Sequence, residues 1–486
     1  MYAMPKTIKS ITNPKLRLEI LTPAEIKKIH DATLWIIEKV GVRFPSKRAM
    51  DIWAAHGAEV DKGKMVVRAK AELIEKALKS CPPVYPLAAR DPQQTLPLDG
   101  NHVFVGTDGC GVEVIDIKTG LRRTSCLQDV ADISRIADAT EEVAFHWVPV
   151  SAQDMPPETR GLHEIRAIWQ NSTKHVQTES IYNESEARAA IEMAALIAGG
   201  REKLRQRPVL SLMQCSAPPL GHDGGSVDAA LVAAEYGLPT GFMTMAANLT
   251  TGPATLAGNL AVGNAEVIAG TALIQLAFPG APVFYAAAQT ASDLRSGAYT
   301  GGGPEDFLYG AATNVLSDFY NIPLSMGSFA TGAKEPNWQA GIDNSLSTFM
   351  ASVVMSDMLL GVGFLHGSRI WSFAEMMMDC EIFSIIHKMM QGIVVDDETL
   401  ALDTIAAVGP GGNFLSQKHT LKHMRDLFLP QFMDRRPYTE WETNKDDGRD
   451  WALAKARKTL ETHQPEPLEP KIDAEMAKII ASLETK

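Results

Sequence analysis

The sequence predicts an α/β protein built around one (β/α)8 TIM barrel. Short apolar runs typical of buried β-strands recur along the chain, with helical patterns between them. Their starts lie about 31 to 42 residues apart, the length that a strand, a helix and their loops require. The runs are mainly apolar and do not alternate strictly between apolar and polar residues, as expected for strands covered on both faces. The eight runs begin near His102, Ala144, His175, Pro208, Thr240, Pro282, Pro323 and Gly361.

Residues 1–100 are expected to form an N-terminal α/β cap. Thr22, Pro23 and Glu25 have the pattern of a helix start: a hydroxyl N-cap, a proline at the first helical position and a carboxylate three residues after the cap. Apolar residues at helical spacing follow this start. Two more helices and one strand are predicted for the cap, at Ser46–His56, Ala69–Lys79 and Lys64–Arg68 respectively.

Residues 101–395 are expected to form the barrel, and residues 396–486 a helical C-terminal extension. The extension is charged, has a proline-rich stretch at Gln464–Pro470 and is expected to pack on the barrel or on a partner subunit, in a homo-oligomer. The clearest barrel helices are predicted at Glu184–Ala198, Asp228–Tyr236, Thr255–Leu276, Asp306–Tyr320, Ser345–Met358 and Phe373–Met390.

Composition excludes several classes of protein. The chain has 46 Lys and Arg residues against 58 Asp and Glu residues, a net charge of −12, which argues against a surface for nucleic acid or an anionic membrane. Its five cysteines have no C-x-x-C spacing, and neither a signal peptide nor a membrane span is expected, so the protein is predicted to be cytoplasmic. The P-loop, H-E-x-x-H and G-x-S-x-G motifs are absent, and no metal site is predicted.

Candidate site residues follow from the barrel, because TIM-barrel active sites lie where strands end and βα loops begin. The side chains expected there are Asp108, Gln153, Glu179, Gln214, Cys215, Met245, Gln289, Lys334, Glu335, His366, Arg369 and Trp371. A structural role is the favoured alternative for Asp108, Gln153, Cys215 and Gln289, and less so for Glu179 and His366.

Several segments, in the same order along nearly the whole chain, resemble the trimethylamine methyltransferase family. They are Leu21–Ile26, Gly41–Phe44, Ala88–Pro92, Gly332–Gly341 and Arg436–Trp441. Members of this family pass a methyl group from a methylated amine to the cobalt of a separate corrinoid protein. The resemblance therefore implies a corrinoid-dependent methyltransferase with a corrinoid protein as partner and no tightly bound cofactor of its own.

The expected substrate is a quaternary amine. Family members that act on trimethylamine carry pyrrolysine in the loop corresponding to the segment around Lys334 and Glu335, whereas every residue here is a standard one. The chain is thus similar to members without pyrrolysine, which implies glycine betaine as substrate, with proline betaine or carnitine as alternatives. A quaternary ammonium leaves as a neutral amine, so attack by Co(I) requires no proton and no acid–base catalyst is expected.

A substrate of this kind predicts two binding features and one movable loop. Aromatic faces and a carboxylate should hold the cation, and donors should hold the carboxylate of a betaine. The residues expected at the cation are Trp147, Tyr285, Trp371, Phe373 and Glu179, and those at the anion are His366 with Arg369 or Gln214. The glycine-rich loop 297–303, with Gly301, Gly302, Gly303 and Tyr299 at its tip, is expected to act as a lid.

Other classes of function remain alternatives. A Schiff-base barrel lyase would need a lysine at a strand end, and Lys334 lies several residues past its strand. A corrinoid-carrying protein would need a D-x-H-x-x-G motif, but Leu220 stands where the aspartate should precede His222. A non-catalytic barrel is the third alternative.

Overall fold

A computed structural model describes residues 11–12, 20–109 and 111–485. Its centre is a closed barrel of eight parallel strands, which confirms the predicted TIM barrel. The last strand pairs with the first, as in the register Leu359 to Val105, so the sheet has no free edge. The barrel strands are β1 (His102–Thr107), β2 (Val143–Trp147), β3 (His175–Thr178), β4 (Leu210–Cys215), β5 (Thr240–Thr244), β6 (Val283–Ala287), β7 (Leu324–Gly327) and β8 (Met358–Val362).

One helix follows each strand and covers the outside of the barrel. The barrel helices are α1 (Leu127–Ala139), α2 (Arg160–Asn171), α3 (Glu184–Ala198), α4 (Gly224–Glu235), α5 (Leu256–Ala277), α6 (Pro304–Tyr320), α7 (Trp338–Val353) and α8 (Phe373–Met390). A short helix, Arg201–Gln206, follows α3. Helices α3 and α8 have the predicted bounds, and each begins after a side-chain cap, Asn183 and Ser372 respectively.

Two boundaries near the carboxyl end of the barrel differ from the prediction. Helix α7 begins seven residues before Ser345, because the Asn337 side chain accepts hydrogen bonds from the backbone N–H groups of Gln339 and Ala340. Strand β8 begins at Met358, three residues before Gly361, and ends at Val362. The following residues, Phe364–Leu365, therefore belong to another sheet and not to the barrel.

That other sheet lies beyond the carboxyl ends of β1 and β8 and is called the rim sheet. Its strands are Glu113–Ile115, Arg122–Thr124, Phe364–Leu365 and Ile370–Ser372. Ile370–Ser372 pairs antiparallel with Phe364–Leu365 and parallel with Glu113–Ile115, so the loops after the first and last barrel strands are joined. The turn that joins Phe364–Leu365 to Ile370–Ser372, residues 366–369, is thereby held over the end of the barrel.

The N-terminal segment packs on α5. Its helix Pro23–Trp35 begins with the predicted capping box at Thr22 and Glu25, and a π-helical turn, Ile36–Val40, continues it. Helix α5 is apolar and long enough to cross a membrane, but it is mostly buried between the barrel and this segment, as a core helix is. The segment also contains helices Lys47–Ala55 and Ala71–Leu78, a three-stranded sheet of Val42–Arg43, Glu59–Asp61 and Val66–Arg68, and the strand pair Tyr85–Leu87 and Leu96–Leu98.

The C-terminal residues follow the outside of the barrel. Helix Gly448–Thr462 packs on α8 and α1, and helix Pro470–Glu484 packs on α2 and α3. Arg166 holds the last helix through two hydrogen bonds to Asp473, at 2.8 and 2.9 Å. Side chains from the N-terminal segment, the barrel and these helices form one continuous apolar core. The division of the chain into three domains at residues 100 and 395 stays a prediction. Residues 1–10 and 13–19 of the predicted cap lie outside the described residues.

Residues 391–447 form an arm between α8 and the C-terminal helices. None of its residues, all of which the structure describes, is buried. The backbone N–H groups of Gln431 and Phe432 tie it to the Glu381 carboxylate on α8. Its helices are Asp397–Leu400, Leu402–Val408, Lys418–His423 and Tyr438–Thr443.

Candidate active site

A cavity of about 220 Å³ lies where the barrel strands end. Its walls come from the residues that follow β1, from the ends of β2 and β4 to β8, from the first three turns of α6, from one residue of α7 and from the turn at residues 366–369. Tyr299 and Arg369 are both lining residues and exposed, so the opening of the cavity lies beside them. The aromatic and charged residues among the lining are Asp108, Trp147, Tyr299, Asp306, Phe307, Tyr309, Phe329 and Arg369.

Trp147, at the end of β2, forms one aromatic wall. Its backbone N–H donates to Thr107 Oγ1 at 3.0 Å, which fixes the strand end on which the ring stands. A Cβ atom on Gly109 would lie 2.7 Å from the Trp147 ring and 2.8 Å from Glu179 Oε1, so only glycine fits between them. The predicted carboxylate of Glu179 is therefore next to the ring of Trp147, behind the lining rather than in it.

Asp108 places a buried carboxylate in the cavity wall. Its Oδ1 accepts a hydrogen bond from the Gly109 N–H at 2.9 Å and its Oδ2 accepts one from Ser368 Oγ at 2.5 Å. Burial raises the pKa of Asp108 to about 6, and these two hydrogen bonds limit the rise. The carboxylate is thus ionised at neutral pH and lies where a cationic ligand would neutralise it.

The turn over the barrel end carries a group of basic side chains. His366, Gly367 and Ser368 all have φ near +60°, a conformation that costs free energy for the two non-glycine residues. Arg369 follows at the opening of the cavity. Partial burial, and then the nearby cations Lys334, Arg369 and Arg122, lower the pKa of His366. The rim beside the opening is therefore electropositive.

The glycines of the predicted lid are anchored. Gly302 donates its backbone N–H to Asp306 Oδ2 at 2.8 Å, and a Cβ atom on Gly302 would lie 2.6 Å from Asp343 Cγ. Gly301 and Gly303 also have positive φ, which favours glycine. Burial raises the pKa of Asp306 to about 6, although Thr290, Gly302 and Ala291 donate to its carboxylate. The loop is one wall of the cavity, and its opening as a lid stays a prediction.

Four of the predicted contact residues lie away from the cavity lining and are corrected here. Successive residues of a strand face opposite sides, so Phe284 fills the barrel interior while Tyr285 points outward and donates to Asn264 Oδ1 at 3.1 Å. Gln214 likewise donates to the Ile181 carbonyl at 3.2 Å. Trp371 and Phe373 belong to the rim sheet and the start of α8, where Trp371 is buried against Phe364. They miss the cavity because β8 ends earlier than predicted.

The structure brings seven predicted site residues into the lining: Asp108, Trp147, Cys215, Met245, Gln289, Tyr299 and Arg369. Lys334 and His366 lie on the electropositive rim, with Lys334 exposed, and Glu335 lies 3.9 Å from the guanidinium of Arg449. Sequence reasoning missed the aromatic residues Phe307, Tyr309 and Phe329. Phe329 lies two residues past β7, so inspection of the residues that follow each strand could have found it. Phe307 and Tyr309 lie on helix α6, and no sequence pattern indicates that they face the cavity.

A second cluster in the arm combines residues that can bind a metal. Glu398, His419 and His423 place their ligand atoms within 4.8 Å of one another. The Lys422 ammonium, however, lies 2.6 Å from Glu398 Oε1, and Asp426 lies 2.8 Å from His423 Nδ1. These contacts make an exposed network of charges that joins two short helices of the arm.

The cavity lies at the carboxyl ends of the barrel strands, where TIM-barrel enzymes have their active sites, and comparisons identify the family. The chain belongs to the trimethylamine methyltransferase family, whose model matches residues 2–485. A trimethylamine methyltransferase of Desulfitobacterium hafniense is 33% identical over 95% of this chain and 93% of its own length. A glycine betaine methyltransferase of the same species is 32% identical over 96% of this chain and 97% of its own length.

A similar relative comes from an archaeon, and solved structures agree on the fold. A trimethylamine methyltransferase of Methanosarcina barkeri is 31% identical over 96% of this chain and 95% of its own. The crystal structure of the Methanosarcina barkeri monomethylamine methyltransferase superposes with a TM-score of 0.51 at 11% identity, covering 90% of this chain and 92% of that one. Methyl transfer from a methylated amine is the activity that these relatives share.

Proposed function

We propose that this chain transfers a methyl group from a carboxylated quaternary amine, glycine betaine before others, to the Co(I) of a corrinoid protein. The observation that carries the proposal is the cavity itself. Its aromatic walls and the Asp108 carboxylate suit a trimethylammonium cation, and Arg369 at the opening suits an anion. A short zwitterion satisfies both requirements at once.

The size of the cavity supports a compact substrate and an external cofactor. Its volume of about 220 Å³ is below the roughly 300–1,000 Å³ of sites for drug-sized ligands. A corrin ring does not fit inside, which agrees with a corrinoid held by a partner protein. The partner's Co(I) would supply the nucleophile at the opening of the cavity, and the Tyr299 loop and the turn at residues 366–369 are the parts of this chain that it would meet.

The residues of this chain would act by positioning. The faces of Trp147, Tyr309 and Phe329 contact the N-methyl groups, and Asp108 balances their charge in a site with little water. Asp108 has no proton to remove, since the departing group is already a neutral tertiary amine. Arg369 holds the carboxylate and so fixes which methyl group faces the opening.

The relatives support methylated amines in general, and two arguments favour a quaternary one. A glycine betaine methyltransferase is among the proteins similar over nearly the whole chain. The chain also lacks the pyrrolysine that the family's trimethylamine enzymes carry. Proline betaine and carnitine carry the same two charges, and they are the alternative substrates. A Schiff-base lyase gains no support, because Lys334 is exposed on the rim. The cytoplasmic setting stays a prediction.

The test is methyl transfer to free cob(I)alamin, followed by the absorbance of methylcobalamin. Glycine betaine should react, whereas choline, which lacks the carboxylate, and trimethylamine, which lacks the quaternary charge, should react at least tenfold more slowly. Arg369→Met should raise KM for glycine betaine about tenfold or more, the effect of about 1.5 kcal/mol from one charge-assisted bond. Arg369→Lys is the matched control that keeps the charge.

Two outcomes would contradict the proposal. Equal rates with choline and glycine betaine would remove the need for an anion site at Arg369. Transfer from trimethylamine alone would assign the chain to tertiary amines and exclude the quaternary substrate.

A further inference from the structure

The arm, residues 391–447, carries an excess of exposed apolar side chains. Of 28 large hydrophobic side chains exposed in the described residues, 14 lie in this segment. Leu415 and Ile393 are each more than 80% exposed. The fourteen are Ile393, Val394, Val395, Leu400, Leu402, Ile405, Phe414, Leu415, Leu421, Met424, Leu427, Leu429, Met433 and Tyr438.

The summed apolar surface of the arm is large. Fourteen such side chains, spread along the segment, together present on the order of 1,000 Å² of apolar surface. This summed area matches the roughly 800 Å² that each partner of a stable complex buries. A protein–protein interface would therefore explain why the arm has so many exposed apolar side chains.

Hydrogen bonds within the arm join its helices and loops, and its apolar side chains are exposed to solvent. The Glu398 carboxylate joins the helix Asp397–Leu400 to Lys422 and His423 on the helix Lys418–His423. Thr420 Oγ1 donates to the Phe414 carbonyl at 2.6 Å, which closes the loop before that helix. These hydrogen bonds join parts of the arm to one another, while no residue within 20–109 or 111–485 covers Leu402 or Leu421.

The same chain carries a complementary face on the barrel. Trp338, Ile342 and Leu346 are exposed on α7 at i, i+4 and i+8, so they form one apolar stripe. The stripe begins near the end of the arm, since the guanidinium of Arg449 lies 3.9 Å from Glu335. We propose that the arm of each protomer covers the α7 stripe of a second copy, in a twofold dimer in which each copy gives one arm and receives one.

A second copy fits this surface better than the corrinoid protein does. A corrinoid protein must dissociate in each turnover, and partners that separate bury smaller and more polar surfaces than permanent ones. A second copy supplies the α7 stripe as a receiving surface in every pair. The proposal concerns assembly alone and does not depend on the substrate.

Mass by sedimentation velocity and light scattering, from about 0.1 to 50 μM, tests the proposal. The full chain should be at least dimeric. The arm variant Leu402→Asp/Leu421→Asp/Leu427→Asp and the stripe variant Trp338→Asp should each be monomeric. The control Val84→Asp/Leu121→Asp changes two exposed apolar residues outside both surfaces and should keep the mass of the unchanged chain. Circular dichroism checks that each variant is folded.

Mixing the two variants tests the exchange itself. The stripe variant has an intact arm and the arm variant has an intact stripe, so a mixture can form one complete contact per pair. A tagged arm variant should therefore retain the untagged stripe variant, although neither retains itself. A monomeric full chain, or no recovery on mixing, would overturn the proposal. An arm variant that stays dimeric would also overturn it. A monomeric chain whose arm is needed only to retain the corrinoid protein would do the same.

Discussion

At the scale of single residues, the surroundings of each carboxylate decide its use. Asp108 and Glu179 both follow barrel strands, but only Asp108 lines the cavity, where Ser368 and the Gly109 N–H hold it. The Glu179 carboxylate lies next to the ring of Trp147 but is not part of the cavity lining. Of these two carboxylates, Asp108 is therefore the one that would face a cation in the cavity, although the sequence favoured a structural role for it.

Asp108 predicts a pH dependence of substrate binding. Burial raises the pKa of its carboxyl group to about 6, so the group is charged above that pH and loses its charge below it. KM for glycine betaine should rise as pH falls from 7 to 5. Asp108→Asn should raise KM about tenfold or more at pH 7.5 and weaken the dependence, leaving the part that Asp306, with a pKa of about 6 in the same lining, contributes. Steady-state kinetics from pH 5 to 8.5 provide the measurement.

Ser368→Ala supplies the positioning control for Asp108. The serine hydroxyl stabilises the charged carboxylate, so its removal should raise the pKa of Asp108 and move the acid limb of the KM profile to higher pH. A Ser368→Ala profile superimposable on that of the unchanged enzyme would show that another group titrates.

The position of Tyr285 differs from the prediction because of strand facing. In a strand covered on both faces, apolar residues occur at every position, so the pattern does not show which side chains face inward. Tyr285 was therefore placed in the site, although it points toward α5 and Phe284 points into the barrel. Trp147, at the end of β2, and Arg369, in the turn at residues 366–369, do line the cavity.

At the scale of elements, helices α7 and α8 are joined by a buried polar cluster. Asn344 Nδ2 on α7 donates to Glu375 Oε1 at 2.9 Å and to Asp379 Oδ1 at 2.8 Å, both on α8. The Gly363 N–H donates to Asp379 Oδ2 at 2.9 Å, which links the pair to the end of β8. Burial raises the pKa of Glu375 to about 8 and that of Asp379 also, so one proton is retained between them at neutral pH.

The cluster predicts that stability falls with rising pH. Glu375 has a higher pKa in the folded chain than the value of 4.5 in the unfolded chain, so its contribution is complete below about pH 4.5 and is lost as pH rises through about 8. Glu375→Gln keeps a hydrogen-bonding group without the charge. Its urea midpoint should be nearly constant from pH 6 to 9, while that of the unchanged protein decreases.

Asn344→Ala is the comparison for this measurement, since it removes the donor and should lower the midpoint at every pH. A fall with pH in Glu375→Gln that equals that of the unchanged protein would assign the effect to other groups.

Element bounds were predicted best where a side chain marks them. Asn183 and Ser372 cap α3 and α8, and both helices have the predicted limits. Asn337 caps α7 in the same way, but Gly341 within the first turns made the start look like a loop. The early end of β8 had no comparable signal, since the apolar residues Phe364 and Leu365 continue the run into the rim sheet.

At the scale of the whole molecule, one core joins three parts of the chain. Ile74 in the N-terminal segment and Met476 in the last helix are both fully buried, in the same apolar cluster as the barrel helices. A single cooperative unfolding transition is therefore expected, although the sequence pattern predicted three segments. The barrel rhythm is visible in the sequence, whereas contacts between distant segments leave no local pattern.

Ile74→Ala and Met476→Ala test this shared core. Each should lower the free energy of unfolding by about 2–4 kcal/mol, the cost of truncating a buried side chain. Each should also move one common transition in calorimetry. The exposed substitution Leu121→Ala should leave it in place. If Ile74→Ala splits off a separate transition, the N-terminal segment is an independent domain.

Under the proposed function, the position of the cavity opening would also impose an order on the events of a catalytic cycle. Tyr299 and Arg369 border the opening, and the same opening would admit both the amine and the cobalt of a partner. The amine would then have to arrive first, and the demethylated product would leave only after the corrinoid protein. A corrinoid protein docked on the empty enzyme would close the entrance, so an excess of it is expected to slow turnover and to compete with the amine.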